Sequence, residues 1–417
     1  MYNAPRGTAD ILPEDQAYWR YIEEKISYIC QLYGYARIET PIFEETQLFV
    51  KGTGDTTDVV QKEMYSFEDR SGNSLTLKPE GTPGVCRAYL EHGFQNLPQP
   101  VKLFHISPFF RYERPQAGRY RQYYSFGAEA IGEADASLDA EVIDIAWQFL
   151  KLLGLKKLLL FINSIGCQEC RPKYLEVLRS YFTNHVNELC PDCRNRLERN
   201  VLRLLDCKQP GCQQVANQAP KSIEYLCLPC ADHFQQLKNY LGILEIPFEV
   251  NQRLVRGLDY YTRTVFEIQP EEEKAQSTIV GGGRYDGLIE TLGGKPTPGI
   301  GFGTGVERII LNLKKENIPV SPVPAPKIFI ACLGETARNE TMKLTAMLRR
   351  QGIGVISATS AKSLKAQMRQ ANNLKISRAI IIGDDEVKAG TAILRDMTTS
   401  NQETVNLTDL PGLLKLK

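Results

Sequence analysis

The chain of 417 residues lacks several things that would each have marked a function class. Its apolar runs are short stretches such as Leu158 to Ile162 and Ala379 to Ile382, far from the ~18 residues a membrane helix needs, so no membrane partner is expected. The opening MYNAPRGTADILPED has acids and prolines where a secretory leader needs an apolar segment, so a reducing, cytoplasmic location is expected. Only four histidines are present, His92, His105, His185 and His233, and no Ser-His-Asp or Cys-His nucleophile pattern stands out. His105, inside the apolar run LFHISPFF, reads as a buried core histidine, the only one of the four so placed. Neither a GxxxxGK[ST] loop nor a GxGxxG turn occurs, which disfavours P-loop and Rossmann nucleotide sites. Net charge is also missing: 50 Lys plus Arg against 49 Asp plus Glu give +1 and a pI near 7.5, on its face an argument against a nucleic-acid partner.

What is present is ordinary globular composition, with 42% hydrophobic residues, enough for real cores, and a length that suggests roughly three folding units at ~150 residues each. Residues 14 to 33 place Trp19, Ile22, Ile26, Tyr28, Ile29 and Leu32 near helical spacing, predicting an amphipathic helix. Short β-rich runs then follow (37 to 42, 74 to 79, 101 to 112, 120 to 131) around a helix near 81 to 92, without βαβ alternation, which predicts an antiparallel sheet. A helix over 137 to 153 and a buried strand over 158 to 164 come next. The β pattern resumes at 248 to 269, and a helix is expected over 305 to 316. Four prolines in residues 318 to 326 mark a linker, and beyond it strands alternate with helices near 336 to 351 and 361 to 373. The fold class is α+β: a catalytic domain over 1 to 324, interrupted by a mainly helical insertion over 166 to 245, then an α/β domain over 325 to 417.

The insertion concentrates eight of the eleven cysteines, as Cys167/Cys170, Cys190/Cys193, Cys207/Cys212 and Cys227/Cys230. An odd total and the absence of an export signal favour thiols or metal ligands over disulfides. The pairs 190/193 and 227/230, with Cys207 and Cys212, have spacing that suits one or two structural Zn2+ sites, and plain thiols are the alternative.

The densest cationic stretch is FFRYERPQAGRYRQYYSFGAE, where Arg111, Arg114, Arg119 and Arg121 interleave with tyrosines. Planar guanidinium groups grip phosphate or carboxylate and tyrosines offer a face to a base, so this stretch suits ATP. TLKPEGTPG supplies Lys78, Glu80 and Thr82 before a helix, a carboxylate and hydroxyl suited to an ammonium group. LVRGLDYYTRTVFE adds Arg256, Asp259, Tyr260 and Tyr261. GGGRYDGLIE and GTGVERII add Arg284, Tyr285 and Arg308, the last early in a helix where it can meet an anion. In GIGFGTG, alternate glycines strip side chains from one face of a strand, either for a flat ligand or for close packing. No nucleophile emerges, so catalysis should rest on positioning and charge stabilisation.

Taken in order, RGTADILPED, TLKPEGT, FRYERPQAGRYRQ, LVRGLDYYTRTVFE, GGGRYDGL and GTGVERI resemble the class II aminoacyl-tRNA synthetases, and specifically the histidyl-tRNA synthetase family. That resemblance implies an antiparallel catalytic sheet of six or more strands flanked by helices. It also implies a C-terminal α/β anticodon-binding domain and a homodimer formed through the first helix and PIFEETQLF. L-histidine and ATP, with Mg2+, would give histidyl-adenylate and diphosphate, and histidine tRNA would accept the histidyl group. Arg111 would hold the α-phosphate and carboxylate, Arg119 and Arg308 the distal phosphates, and Tyr123 the adenine. Glu80 and Thr82 would take the amino group of histidine, and Glu129 and Tyr261 its imidazole, with Tyr285 closing the pocket and Gly81 and Tyr260 also among the histidine-binding residues. Arg256 would stabilise charge in the transition state. Ser125 stands where the family usually has glutamine, so its contact would run through water. The rival readings are a histidine-binding regulatory subunit of ATP phosphoribosyltransferase, and a class II synthetase for another amino acid.

The near-zero charge is a sum over unlike parts. Residues 325 to 417 hold 14 Lys plus Arg against 8 Asp plus Glu, and residues 1 to 324 hold 36 against 41. Lys362, Lys365 and Arg369 are expected on one helix face as a tRNA-binding stripe, the alternative being an ordinary solvated face.

Overall fold

The computed structural model describes residues 2–116, 118–271, 278–359 and 362–415. The chain divides between Ser321 and Pro322 into two compact units. In the first, the strands are β1 (Ala36–Arg37), β2 (Phe43–Glu45), β3 (Tyr65–Glu68), β4 (Ser74–Leu77), β5 (Val101–Phe110), β6 (Gln122–Ile131), β7 (Leu158–Ser164), β8 (Phe248–Val250), β9 (Thr262–Pro270), β10 (Val280–Arg284) and β11 (Gly299–Gly305). Eight of them form one sheet in the order β1-β5-β6-β11-β10-β9-β7-β8, and β2, β4 and β3 form a small second sheet that the hydrophobic pattern did not separate. The six inner strands are antiparallel, as expected, but the edge strands β1 and β8 pair in parallel. Both parallel partners are joined by long excursions of the chain, which is what a parallel return requires.

The pleat gives this sheet two unlike faces. Along β6, Phe126, Ala128 and Ala130 face a core that also takes Ile300 and Phe302 of β11 and the helices Gln16–Leu32 and Ala136–Leu152. Phe126 makes edge contacts with Phe149 at 5.1 Å and Phe302 at 5.3 Å. Tyr123, Ser125, Gly127 and Glu129 alternate onto the other face. The first helix buries Trp19, Ile22, Ile26, Ile29 and Cys30. Tyr28 and Leu32, expected on that stripe, are 52% and 62% exposed, since Tyr28 lies off the i, i+3, i+4 row and Leu32 sits in the last turn.

A buried ion cluster ties helix Ala136–Leu152 to the back of the sheet. Arg284, fully buried, donates from Nε to Asp139 at 2.7 Å, and its other nitrogens reach Asp286 and the carbonyls of Glu133 and Asp135. Asp139 also accepts from Thr264 at 2.5 Å and lies 2.8 Å from His233 Nε2. Burial alone would raise the Asp139 carboxyl, but Arg284, His233 and Thr264 hold it below the usual carboxylate range. Two expectations change here: Arg284 braces the core and is not a ligand group, and His233 is buried along with His105.

Between β7 and β8 the cysteine-rich stretch folds as the helices Arg171–Asn184, Pro191–Arg199, Pro210–Asn217 and Leu228–Ile243. Their core includes Tyr174, Leu178, Phe182, Leu197 and Leu204 and continues into Tyr261 and Val265 of the sheet region. Arg196 and Arg203 reach Asp58, and Asn200 donates to Asp259, so the insertion is fastened to the segment after Thr53.

The second unit holds β12 (Ile328–Leu333), β13 (Val355–Ser357), β14 (Arg378–Gly383), β15 (Thr391–Asp396) and β16 (Gln402–Asn406), in the order β13-β12-β14-β15-β16. The first three are parallel and the last two add antiparallel, with helices including Glu335–Arg350 and Leu364–Asn373. The latter was expected over 361 to 373. Residue 361 lies outside the described residues, and the helix starts at Leu364 because Ser363 caps it, its hydroxyl accepting from the Ala366 amide.

Removing one member of a buried ion cluster leaves an uncompensated charge, so Asp139→Ala should cost ~3–5 kcal/mol in urea unfolding, and a loss below about 1 kcal/mol would contradict the bracing role.

Candidate active site

The residues expected to carry chemistry gather on the open face of the large sheet. Glu80, 8% exposed, follows β4 and accepts from Thr53 Oγ1 at 2.6 Å and from the Tyr260 hydroxyl at 2.7 Å. Glu129, 2% exposed on β6, accepts from Thr82 Oγ1 at 2.7 Å and from the Tyr285 hydroxyl at 2.6 Å. Tyr260 lies 4.6 Å from Tyr261 and 5.9 Å from Tyr285, ring centre to ring centre. Two carboxylates, three tyrosines and two threonines thus form one buried, hydroxyl-rich cluster. Thr53 had no sequence signal, because its place depends on a contact between segments that no local pattern encodes.

The glycine alternation clears the space these side chains occupy. A β-carbon added at Gly301 would fall 1.8 Å from Glu129 Oε2, one at Gly299 2.4 Å from the Tyr285 ring, and one at Gly281 2.2 Å from the Arg256 guanidinium. Gly81, at the start of helix Thr82–Glu91, and Gly127 both give way to His105, whose Nε2 would lie 2.5 Å from a β-carbon at either. Of the two readings of the glycines, the structure shows close packing, with Glu129, Tyr285 and Arg256 filling the cleared space.

Arginines line the rest. Arg111, at the end of β5, donates from Nε to the Pro79 carbonyl at 2.8 Å, and the Tyr123 hydroxyl donates to the same carbonyl at 3.2 Å. Arg119 pairs with Glu113 at 3.0 Å. Arg308, in the first turn of helix Val306–Lys315, donates to the Thr278 carbonyl and lies near Gly118. Arg256 pairs with Glu267 and sits over the Tyr261 ring, 5.9 Å from its centre, while its buried Nε has no hydrogen-bond partner among the described residues. Glu267, held in turn by Gln269 and Thr278, lies inside VFE but was assigned no role from sequence. Ser125 turns its hydroxyl onto the Thr304 carbonyl at 3.0 Å. Lys78 points away from Glu80, toward Thr40. In the second unit, Lys362, Lys365 and Arg369 are all exposed, but Lys362 precedes the helix that carries the other two.

Electrostatics single out the carboxylates. Burial pushes the Glu129 carboxyl up to about 7, against the hydrogen bonds from Tyr285 and Thr82, with Glu80 adding repulsion. Burial also raises Glu80, against Thr53 and Tyr260. Burial, with Lys78 nearby, pushes His105 down to about 3, so it is neutral in the wall of the pocket.

The cysteines form two groups of four. Cys167, Cys170, Cys227 and Cys230 converge at the root of the insertion, and Cys190, Cys193, Cys207 and Cys212 converge within it. Cys167 and Cys170 were outside the expected ligand set although their spacing, like that of Cys190/Cys193 and Cys227/Cys230, is CxxC.

Residues 7–309 match the model of the histidyl-tRNA synthetase family, and residues 327–417 match that of an anticodon-binding domain. The chain belongs to the histidyl-tRNA synthetases. A histidine–tRNA ligase of Dehalococcoides mccartyi is 57% identical over 98% of both chains, and one of Pelotomaculum thermopropionicum is 48% identical over 99% of this chain and 97% of its own. The apo crystal structure of the Staphylococcus aureus histidyl-tRNA synthetase is 39% identical, covers all of both chains and superposes with a TM-score of 0.82.

The pKa of Glu129 gives this synthetase a pH signature. A carboxyl raised from 4.5 to about 7 on folding contributes stability that is present below 4.5 and lost as the pH rises through 7. Glu129→Gln cannot titrate, so in ligand-free thermal or urea unfolding its stability relative to wild type should rise by on the order of 3 kcal/mol from pH 4.5 to pH 8. Parallel pH profiles for the two proteins would contradict the shift.

Proposed function

We propose that the open face of the sheet carries the two-step reaction of a histidine–tRNA ligase with the following division of labour. The chain activates histidine with ATP and transfers the histidyl group to tRNA. Glu80, Gly81 and Thr82 receive the ammonium group of histidine, and Glu129 with Tyr260 and Tyr261 receives its imidazole, under Tyr285. The observation that carries this reading is the pair of buried carboxylates, each bonded to one threonine and one tyrosine, with no salt bridge to either among the described residues and only Arg111 near enough to Glu80 to lower it. Such a pair favours a ligand that brings positive charge and N–H donors. Ser125, its own proton committed to Thr304, has lone pairs left to accept from the substrate's water.

Arg111 holds the histidine carboxylate and α-phosphate, Arg119 and Arg308 the distal phosphates, and Tyr123 the adenine. ATP arrives with Mg2+ on its phosphates. Glu113, the carboxylate beside Arg111 and Arg119, is already paired, so the ion would be held by the ATP phosphates and keep most of its waters. As the histidine carboxylate attacks, negative charge grows on the α-phosphate, and Arg256, fixed by Glu267 and with Nε unused, is placed to offset it without reorganising. A regulatory subunit that only binds histidine would have no use for this arginine set or for the anticodon-binding unit.

Histidine tRNA is the partner, met in part by Lys362, Lys365 and Arg369. A homodimer is the assembly, through a surface where Ile42, Phe43 and Phe67 are exposed and the two phenylalanine rings pair at 6.2 Å. The cytoplasm is the compartment. Among the described residues no helix is long and apolar enough to cross a membrane.

Arg256→Ala should lower histidine-dependent ATP–pyrophosphate exchange by ~10² or more while the protein stays folded, the scale for one preorganised donor; exchange at the wild-type rate would remove Arg256 from the chemistry. Neutralising Lys362, Lys365 and Arg369 together should weaken aminoacylation and flatten its salt dependence while leaving pyrophosphate exchange intact. Equal loss of both activities would refute the tRNA assignment.

A further inference from the structure

Eight of the eleven cysteines lie in the two groups of four, and the other three, Cys30, Cys86 and Cys332, are buried singly. In each group all four sulfurs lie within 4.8 Å of one another. The spacing within the groups discriminates between chemistries. Sγ–Sγ distances are 3.8 Å for Cys167–Cys170, 3.8 Å for Cys167–Cys227 and 3.9 Å for Cys190–Cys207. A disulfide would bring two sulfurs to ~2.05 Å. Ligands of an iron–sulfur cluster sit on separate irons and spread further apart. Four thiolates at ~2.3 Å from a single tetrahedral ion have edges of about 3.8 Å. Backbone amides point at the sulfurs, Cys167 N to Cys170 Sγ at 3.3 Å and Cys190 N to Cys212 Sγ at 3.2 Å, as suits thiolates.

The first group also sits at a mechanical junction. It joins the exit from β7 to the start of helix Leu228–Ile243, which leads back to β8. Beside Cys170, the Arg171 guanidinium donates to the carbonyls of Ile165 at 3.2 Å, Gly166 at 3.0 Å and Tyr261 at 2.6 Å. Arg263 and Ile165 exchange a further backbone bond, and the Arg263 amide donates to Gly166. One cross-link at this point therefore holds the root of the insertion against the backbone that carries Tyr261.

We propose that each group binds one Zn2+ as a structural Zn(Cys)4 site, and that the site formed by Cys167, Cys170, Cys227 and Cys230 positions Tyr261 through Arg171. Metal binding releases the thiol protons and adds cross-links to the apolar core that the insertion helices already share with the sheet region. The positioning half rests on the placement of histidine proposed above, whereas the metal sites do not.

Metal analysis of the purified full-length protein should find two zinc ions per chain, and cobalt substitution should give intense thiolate-to-cobalt charge transfer with tetrahedral d–d bands. Less than half a zinc per chain, with all eleven thiols free to titrate in folded protein, would overturn the sites. Cys227→Ser/Cys230→Ser should lower the count to one, and Arg171→Ala should leave it at two. Both should raise the KM for histidine about tenfold with little change in kcat or the KM for ATP, the scale of losing a supporting shell, and Arg171→Lys should recover part of it. An unchanged histidine KM in Arg171→Ala would overturn the positioning role. Two zinc ions in a protein that never exchanges pyrophosphate with histidine would sink the functional reading and leave the metal sites standing.

Discussion

Two carboxylates, Glu80 and Glu129, are buried side by side on a sheet face, and much of the surrounding structure makes that tolerable. Each accepts hydrogen bonds from one threonine and one tyrosine, so neither is left bare, yet the bonds do not cancel the cost of burial, and Glu129 stays near 7. The sheet contributes by absence: glycines on β10 and β11 leave room where β-carbons would collide with Glu129, Tyr285 and Arg256. His105 stays neutral behind Gly81 and Gly127, so the wall brings no competing charge. Arg111 offsets part of the cost at Glu80, and among the described residues neither carboxylate has a salt-bridge partner.

The arginines obey the complementary rule. Arg111 is fixed by the Pro79 carbonyl and Arg256 by Glu267, so both guanidinium groups are held in place by the chain itself. On the opposite face of the same sheet a charge of the same kind is locked away: Arg284 spends its donors on Asp139, Asp286 and two carbonyls. One residue of register separates Arg284 from Tyr285, and the pleat sends the first to the core and the second to the pocket.

This division explains what the sequence could convey. The alternation along β5, β6 and β11, the helices and the proline linker are local patterns, and the motifs around Glu80, Arg111, Arg256 and Tyr285 are contiguous enough to be read. Arg284 looked like a ligand group because its motif neighbours are pocket residues, and only the pleat and a helix more than a hundred residues earlier reveal its partner. Thr53, Asp139 and His233 act through contacts distant in sequence, and the matching of Cys167/Cys170 with Cys227/Cys230 spans the whole insertion. The parallel edge strands were hidden for the same reason. Lys362 was displaced from its expected helix by a single capping serine.

The whole-chain charge near zero likewise concealed a basic second unit beside an acidic first one. The most direct test of the pocket compares histidine with its two ring-N-methylated isomers in ATP–pyrophosphate exchange. If buried Glu129 reads an imidazole nitrogen, at least one isomer should fall by ~10² or more, as a site built to hydrogen-bond rejects a partner that cannot. Exchange with both isomers at the histidine rate would contradict it.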